Sequence, residues 1–305
     1  MGMRESVSLL ASMFLGLLVA YGVAALAAGP GVGQTATVTL VGAGDIASCS
    51  QNNDSATARL LGRIPGTVFT LGDNVYPYAT AKKFRNCYDP TWGSHKRRTK
   101  PTAGNHEYYN ENFNTTAAGP YFDYFGTRAG ARGKGYYSYD RGNWHIVALN
   151  SNCDKVGGCG IDSPQGRWLR NDLANNPADC TLAYFHHPLY ASGTSSDAPE
   201  VKPFWNILYN QGAEVILAGH AHRYERYAPI TPSGERSANG IRQFIVGTGG
   251  EPGGDYDGPD HPNMQVMKRN TPGVLKLELR ADSYAWKFVP VAGETFTDSG
   301  TDPCH

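Results

Sequence analysis

"EVILAGHAHRYER", residues Glu214 to Arg226, joins a short apolar run to a crowd of large polar side chains. The run Val215–Leu217 is rich in β-branched residues and too short for a helix, so it reads as a buried strand. Gly219 leaves room for a turn at its end, and Ala221 is too small to obstruct it. His220 and His222 stand at i and i+2, where an extended backbone points both imidazoles to one side. Two imidazoles at the mouth of a strand suggest a metal. A lone His-x-His pair reads as solvated loop histidines, so the rest of the chain has to decide.

Similar apolar runs recur outward from this one: "TVTLVGAGD", "GTVFTLGDN", "WHIVALNS", "TLAYFHH" and "RQFIVGTGG". "GVLKLELRADSYAWKFVPV" alternates apolar and polar residues about a turn near Ala281–Asp282 and predicts a hairpin. Helices are expected between the runs. "SATARLLGRI" offers Ser55 as N-cap, and "SPQGRWLRNDLANN" offers Ser163 as N-cap with Pro164 at the first helical position. "APEVKPFWNILYNQG" should end at Gly212. Strands alternating with helices, then a strand-rich tail, predict an α/β layered domain with sheets in its interior.

Polar residues gather at the strand exits. Asp45 ends the first run and Asp73 the second; Asn105 and His106 sit in "TAGNHEYY", and His186 and His187 end "TLAYFHH". Ligand sites in open α/β sheets lie outside the carboxyl ends of strands. A single strand-end Asp is ordinarily a cap or turn residue. Five exits offering an oxygen or imidazole in succession predict a metal site.

The chain of 305 residues is 40% hydrophobic and 18% charged, an ordinary globular composition. Its 27 basic and 27 acidic residues balance, which argues against a nucleic-acid or membrane-surface binder that relies on bulk charge. An anionic substrate would need a local counter-charge. The N-terminus, with Arg4, an apolar stretch from about Leu9 to Ala27 and small residues at Ala25 and Ala27, reads as a secretory signal over residues 1–28. The alternative is an uncleaved anchor, since the stretch approaches spanning length. Residues 29–36 read as a linker and 37–305 as one catalytic domain. Six cysteines without a CxxC pair fit disulfides in an exported protein. Cys153 and Cys159 would close a short glycine-containing loop, and Cys49–Cys87 with Cys180–Cys304 would complete a set, although sequence alone leaves the connectivity open.

In order, "GDIA", "GDNVY", "GNHEY", "HHP" and "GHAHRYER" resemble the five blocks of the calcineurin-like metallophosphoesterases, and "GDNVY" with "GHAHRYER" look most like the purple acid phosphatase branch. That resemblance implies a four-layer αββα sandwich with two metals held by loops at one edge. Carried across by position, Asp45, Tyr76 and His222 would hold the first metal and Asn105, His186 and His220 the second, with Asp73 bridging. His106 matches the histidine that contacts phosphate and assists the leaving group. The implied activity is hydrolysis of a small phosphate ester by a hydroxide generated on the metal pair, in a secreted or periplasmic enzyme. A phosphodiesterase or nucleotidase with the same centre, or a catalytically silent binding protein, are the alternatives.

Ala47 stands where many of these enzymes have a metal-binding histidine, which makes Tyr76 the replacement ligand. A phenolate suits ferric iron; the second site suits a divalent zinc, iron or manganese. The family's H-x-P spacing assigns His186 to the metal and leaves His187 either a supporting role or none. Arg223, Tyr224, Glu225 and Arg226 are expected to brace a loop and orient the imidazoles.

Overall fold

The structure, a computed structural model, describes residues 1–3, 37–193, 197–253 and 258–305. The expected leader and linker lie outside the described residues, apart from Met1–Met3. Thr35–His305 forms one compact unit.

The described strands run in chain order β1 (Val38–Ala43), β2 (Thr67–Leu71), β3 (Thr99–Thr102), β4 (Tyr137–Arg141), β5 (Trp144–Ala148), β6 (Cys180–Tyr184) and β7 (Val215–Ala218). They continue with β8 (Arg223–Tyr227), β9 (Arg242–Val246), β10 (Met264–Arg269), β11 (Gly273–Leu279), β12 (Ser283–Pro290) and β13 (Ser299–Pro303). One sheet has the order β13-β12-β11-β1-β2-β3, the other β10-β8-β9-β7-β6-β5-β4. Both are mixed. β1, β2 and β3 run parallel, with Leu40 opposite Thr67, while β11 pairs antiparallel to β1, with Leu40 opposite Leu277. In the second sheet β5, β6, β7 and β9 are parallel.

Side-chain alternation explains why the central runs are apolar throughout. Ile146, Leu182, Leu217 and Phe244 join the core shared with the first sheet. Their neighbours Val147, Ala183, Ile216 and Ile245 point the other way, into a second core with Leu169 and Leu173 of helix Pro164–Asn175 and Phe204 and Leu208 of helix Lys202–Asn210. Each fully buried Val, Leu, Ile or Phe side chain among them contributes about 1.5–3 kcal/mol. Helix Asn53–Arg63 buries Ala58, Leu60 and Leu61 in the first core and contacts β11. The result is the expected layering of two mixed sheets with flanking helices.

Ser163 caps its helix as expected, accepting from the Gly166 N–H at 3.0 Å, and Gly212 turns the chain at φ +68°. The three disulfides join Cys49–Cys87, Cys153–Cys159 and Cys180–Cys304. Two expectations are corrected. The first helix starts at Asn53 with Asn52 as N-cap, so Ser55 lies inside the first turn; the Asn53 amide reaches the Gln51 side chain at 3.0 Å and the Gly250 carbonyl at 3.2 Å, which anchors the start earlier. The "RYER" segment is not a loop but strand β8, antiparallel to both β9 and β10.

Candidate metal centre

Five of the seven proposed ligands lie just past the carboxyl end of a strand, and Tyr76 and His222 follow in the same loops. Asp45 follows β1 by two residues, Asp73 follows β2 by two, Asn105 follows β3 by three, His186 follows β6 by two and His220 follows β7 by two. The parallel pairing of β1 with β2 continues into their exit loops. Asp45 N–H donates to the Gly72 carbonyl (3.1 Å), Ile46 to Asp73 (2.9 Å), Ala47 to Asn74 (3.1 Å), and Tyr76 N–H returns to the Ala47 carbonyl (2.8 Å). This ladder sets Asp45, Asp73 and Tyr76 at fixed spacing. Asp45, Asp73 and His220 adopt the left-handed region, at φ +60°, +48° and +67°. Non-glycine residues enter it at a cost, and they do so here at three positions of one cluster. At Gly104 a Cβ would overlap the Asp73 carboxylate, so glycine is required there.

The side chains meet in two groups. In one, the Tyr76 hydroxyl lies 2.8 Å from Asp45 Oδ1, 2.8 Å from Asp73 Oδ2 and 3.0 Å from His222 Nε2. In the other, His186 Nε2 lies 3.0 Å from Asn105 Oδ1 and 3.2 Å from His220 Nδ1. Asp73 Oδ2 touches both groups, since it is also 3.3 Å from His186 Nε2. The histidine rings are aimed by backbone carbonyls: His186 Nδ1 by Leu71 at 2.7 Å and His222 Nδ1 by Pro252 at 2.9 Å.

His220 and His222 reach their groups differently from the extended-strand expectation. The left-handed backbone at His220 turns the chain, so the two imidazoles serve opposite groups rather than one side.

Electron pairs outnumber hydrogens in this cluster. The phenol has one proton for two carboxylate oxygens and an imidazole nitrogen, and His186 Nε2, whose partner Nδ1 is engaged at Leu71, faces oxygen and nitrogen lone pairs. Protons relieve this only by charging the histidines. Burial disfavours the charged form of His186, but the Asp73 carboxylate overrides it and raises the group to about 9. His222 is likewise raised to about 9 by Asp45 against its burial. Burial and the neighbouring His186 charge instead hold His220 down at about 4. Burial together with Asp45 and Asp73 pushes the Tyr76 phenol well above its ordinary value. A cation satisfies the same lone pairs, and two carboxylates, a phenol, an amide oxygen and three imidazoles form a donor set that suits iron, zinc or manganese.

His106 sits at the rim. Its Nδ1 bonds the Pro77 carbonyl at 2.6 Å, its backbone N–H donates to Asp73 Oδ1 at 2.9 Å, and Nε2 stands 3.8 Å from Asp73 Oδ2. His187 is bound through Nδ1 and its backbone N–H to the Ser151 hydroxyl, at 2.8 and 3.0 Å, with its ring 4.6 Å from that of His220. It braces the second group.

Glu107, which sequence reasoning passed over, is fully buried and accepts from Gly104 N–H at 2.7 Å and Asn74 N–H at 2.8 Å. It ties the "GDNVY" and "GNHEY" loops together, and burial and Asp73 raise it to about 8. Its signal was the acid that closes "GNHE". The β8 side chains brace the segments around them: Glu225 accepts from Ser192 N–H and from the Tyr227 hydroxyl, Arg223 donates to the Ser192 carbonyl, and Tyr224 and Arg226 bind Asp298.

Residues 39–224 match the family model of the calcineurin-like phosphoesterases. The chain belongs to that family. Within it, the chain is similar to the purple acid phosphatase branch: 26% identical to purple acid phosphatase 18 of Arabidopsis thaliana over 71% of this chain and 47% of the relative. Purple acid phosphatase 15 of the same plant is 26% identical over 78% of this chain and 49% of the relative. The chain thus spans about half the length of these curated relatives. The purple acid phosphatase from yellow lupin (Lupinus luteus) seeds shares the fold, with a TM-score of 0.70 over 88% of this chain and 54% of that one at 18% identity.

Proposed function

We propose that this calcineurin-like phosphoesterase is an exported phosphoric monoester hydrolase built around a dinuclear metal centre. The observation that carries the reading is Asp73, whose Oδ2 contacts both ligand groups at once. Asp45, Tyr76 and His222 would hold ferric iron; Asn105, His186 and His220 would hold a divalent zinc, iron or manganese; Asp73 would bridge them. Such a pair supplies positive charge opposite the phosphoryl oxygens and an acidified water as nucleophile. This is the local counter-charge that a chain of zero net charge otherwise lacks.

The protein's own residues then have defined tasks. With Nδ1 turned to Pro77, His106 presents Nε2 to the site, where it binds a phosphoryl oxygen and gives a proton to the departing alkoxide. Leu71 and Pro252 keep His186 and His222 in fixed orientation, and Glu107 keeps the two central loops in register. Three disulfides support an oxidising compartment, and hence export.

The test is turnover of an aryl phosphomonoester and a bis-aryl phosphodiester, with metal content measured before and after chelation. Monoester turnover that is lost with the metals and returns on reloading is expected. No monoester turnover by protein carrying two metals refutes the reading, and preference for the diester would replace it with the phosphodiesterase alternative.

A further inference from the structure

Beside the centre, the loop at residues 109–115 exposes a large aromatic side chain. Phe113 is 56% exposed, the most exposed large apolar side chain among the described residues of Thr35–His305. Its backbone is held at φ +54°, a conformation unfavourable for a bulky residue. The loop keeps it there: the Asn110 side chain accepts from the Asn112 and Asn114 N–H groups, both at 3.0 Å, and Phe113 N–H donates to the Asn110 carbonyl at 2.9 Å.

The ring belongs to a continuous aromatic series that leads back to the centre. Tyr76 and His106 have ring centres 4.4 Å apart, His106 and Tyr109 5.8 Å, Tyr109 and Phe113 6.2 Å, and Phe113 and Tyr78 5.8 Å. Tyr78 is itself steadied by the Lys83 ammonium 4.5 Å above its ring. Tyr109 and Thr115, which bracket the loop and form a β-bridge, also line a groove of about 460 Å³ that reaches Asn105. Phe113 is not part of that groove's lining, so the groove places Tyr109 beside Asn105 while the ring contacts carry the series on to Phe113.

Resting on the phosphate-ester reading above, we propose that the 109–115 loop is an aromatic platform for a flat π-bearing group on the alcohol side of the substrate. Phe113 sets the preference. With phosphate at His106, the ring contacts lead through Tyr109 to Phe113, and a planar group stacks on the exposed Phe113 face without needing a particular hydrogen-bond pattern. The class is aromatic phosphomonoesters, from a nucleotide base or a phenol.

Wild type and Phe113→Ala are compared on adenosine 5′-monophosphate, phenyl phosphate and ribose 5-phosphate. The first and third release phosphate from the same primary alcohol, so only the base differs. The variant should lose about tenfold in kcat/KM on one or both aromatic esters, the scale of one lost aromatic stack, and keep its rate on ribose 5-phosphate. Loss on the nucleotide alone assigns the base, and loss on phenyl phosphate alone assigns the phenol. Phe113→Trp should retain the preference. Phe113→Gly, which suits the left-handed backbone, should lose it without a lower melting temperature. Equal losses on all three esters, or none, overturn the platform. If metal-loaded wild type turns over none of the three, the monoester reading fails and thermal shifts test the platform alone. Adenosine 5′-monophosphate should then raise the melting temperature of wild type more than ribose 5-phosphate does, and Phe113→Ala should abolish the difference. Equal shifts in wild type overturn it.

Discussion

Tyr76 and Asp73, three residues apart on one loop, meet at 2.8 Å through the phenol oxygen and the carboxylate Oδ2 that also faces His186. A buried phenol whose ionisation is opposed by two carboxylates keeps its proton until a cation replaces it. Loading with native metals should therefore produce a visible phenolate-to-iron band. Tyr76→Phe should abolish the band, while His186→Ala, on the other ligand group, should keep much of it. A colourless and fully active enzyme containing only zinc or manganese would refute the iron assignment and leave the phosphatase reading standing.

Asp73→Asn removes the charge that both groups share. Activity should fall by more than about a hundredfold, beyond the 10–100-fold typical of residues that only orient ligands. Paired metal binding should be lost while the circular dichroism spectrum stays native. Wild-type turnover with two metals in the purified variant would sink the bridging role.

His186→Ala should cost far more activity and metal than His187→Ala. Nε2 of His186 faces Asp73, Asn105 and His220, whereas His187 is committed to Ser151 through Nδ1 and its backbone. About a tenfold loss is expected at His187, as for an orienting partner. The reverse order, measured by turnover and metal analysis, would shift the ligand register by one residue.

Away from the centre, buried His145 binds Asp140 at 2.7 Å through Nδ1 and Asp172 at 2.9 Å through Nε2. Burial opposes its charge, but the two carboxylates outweigh it and raise the folded-state value above 6.5. The stabilisation is thus fully present below the unfolded value of about 6.5 and is lost as pH rises through the folded value. Denaturant unfolding of metal-loaded protein should show stability falling over that window. His145→Ala should flatten this fall and cost about 3 kcal/mol at pH 6, the loss of charged hydrogen bonds. An unchanged pH slope in the variant would exclude His145 as its source.

Local pattern alone was enough to read the central strands, because β1, β2, β5, β6, β7 and β9 are short runs whose chemistry is set by burial. Asp45, Asp73, His186 and His220 were legible for a related reason: each follows such a run by two residues, whereas Asn105 was legible only through the "GNHEY" block. β3 escaped notice because "TKPT" carries Pro101, which is tolerated there only because the strand lies at the edge of its sheet. β8 escaped because Arg223, Glu225 and Arg226 look like loop residues until their partners, Ser192 and Asp298, arrive from distant parts of the chain.

What the sequence determined by itself was the inventory: which side chains stand at which strand exits, and the chemistry they can share. Their spacing left the allocation open and the family resemblance supplied it; the tertiary structure decides how it is physically made. His220 and His222 are near neighbours in sequence, yet the left-handed turn at His220 sends them to different groups, and Asp73 meets both only because the β1–β2 ladder runs on into the loops. The exposure of Phe113 belongs to the same class, since it depends on what the folded loop leaves uncovered. Contacts of this kind depend on backbone dihedrals and pairings between segments far apart in the chain, which no local periodicity encodes.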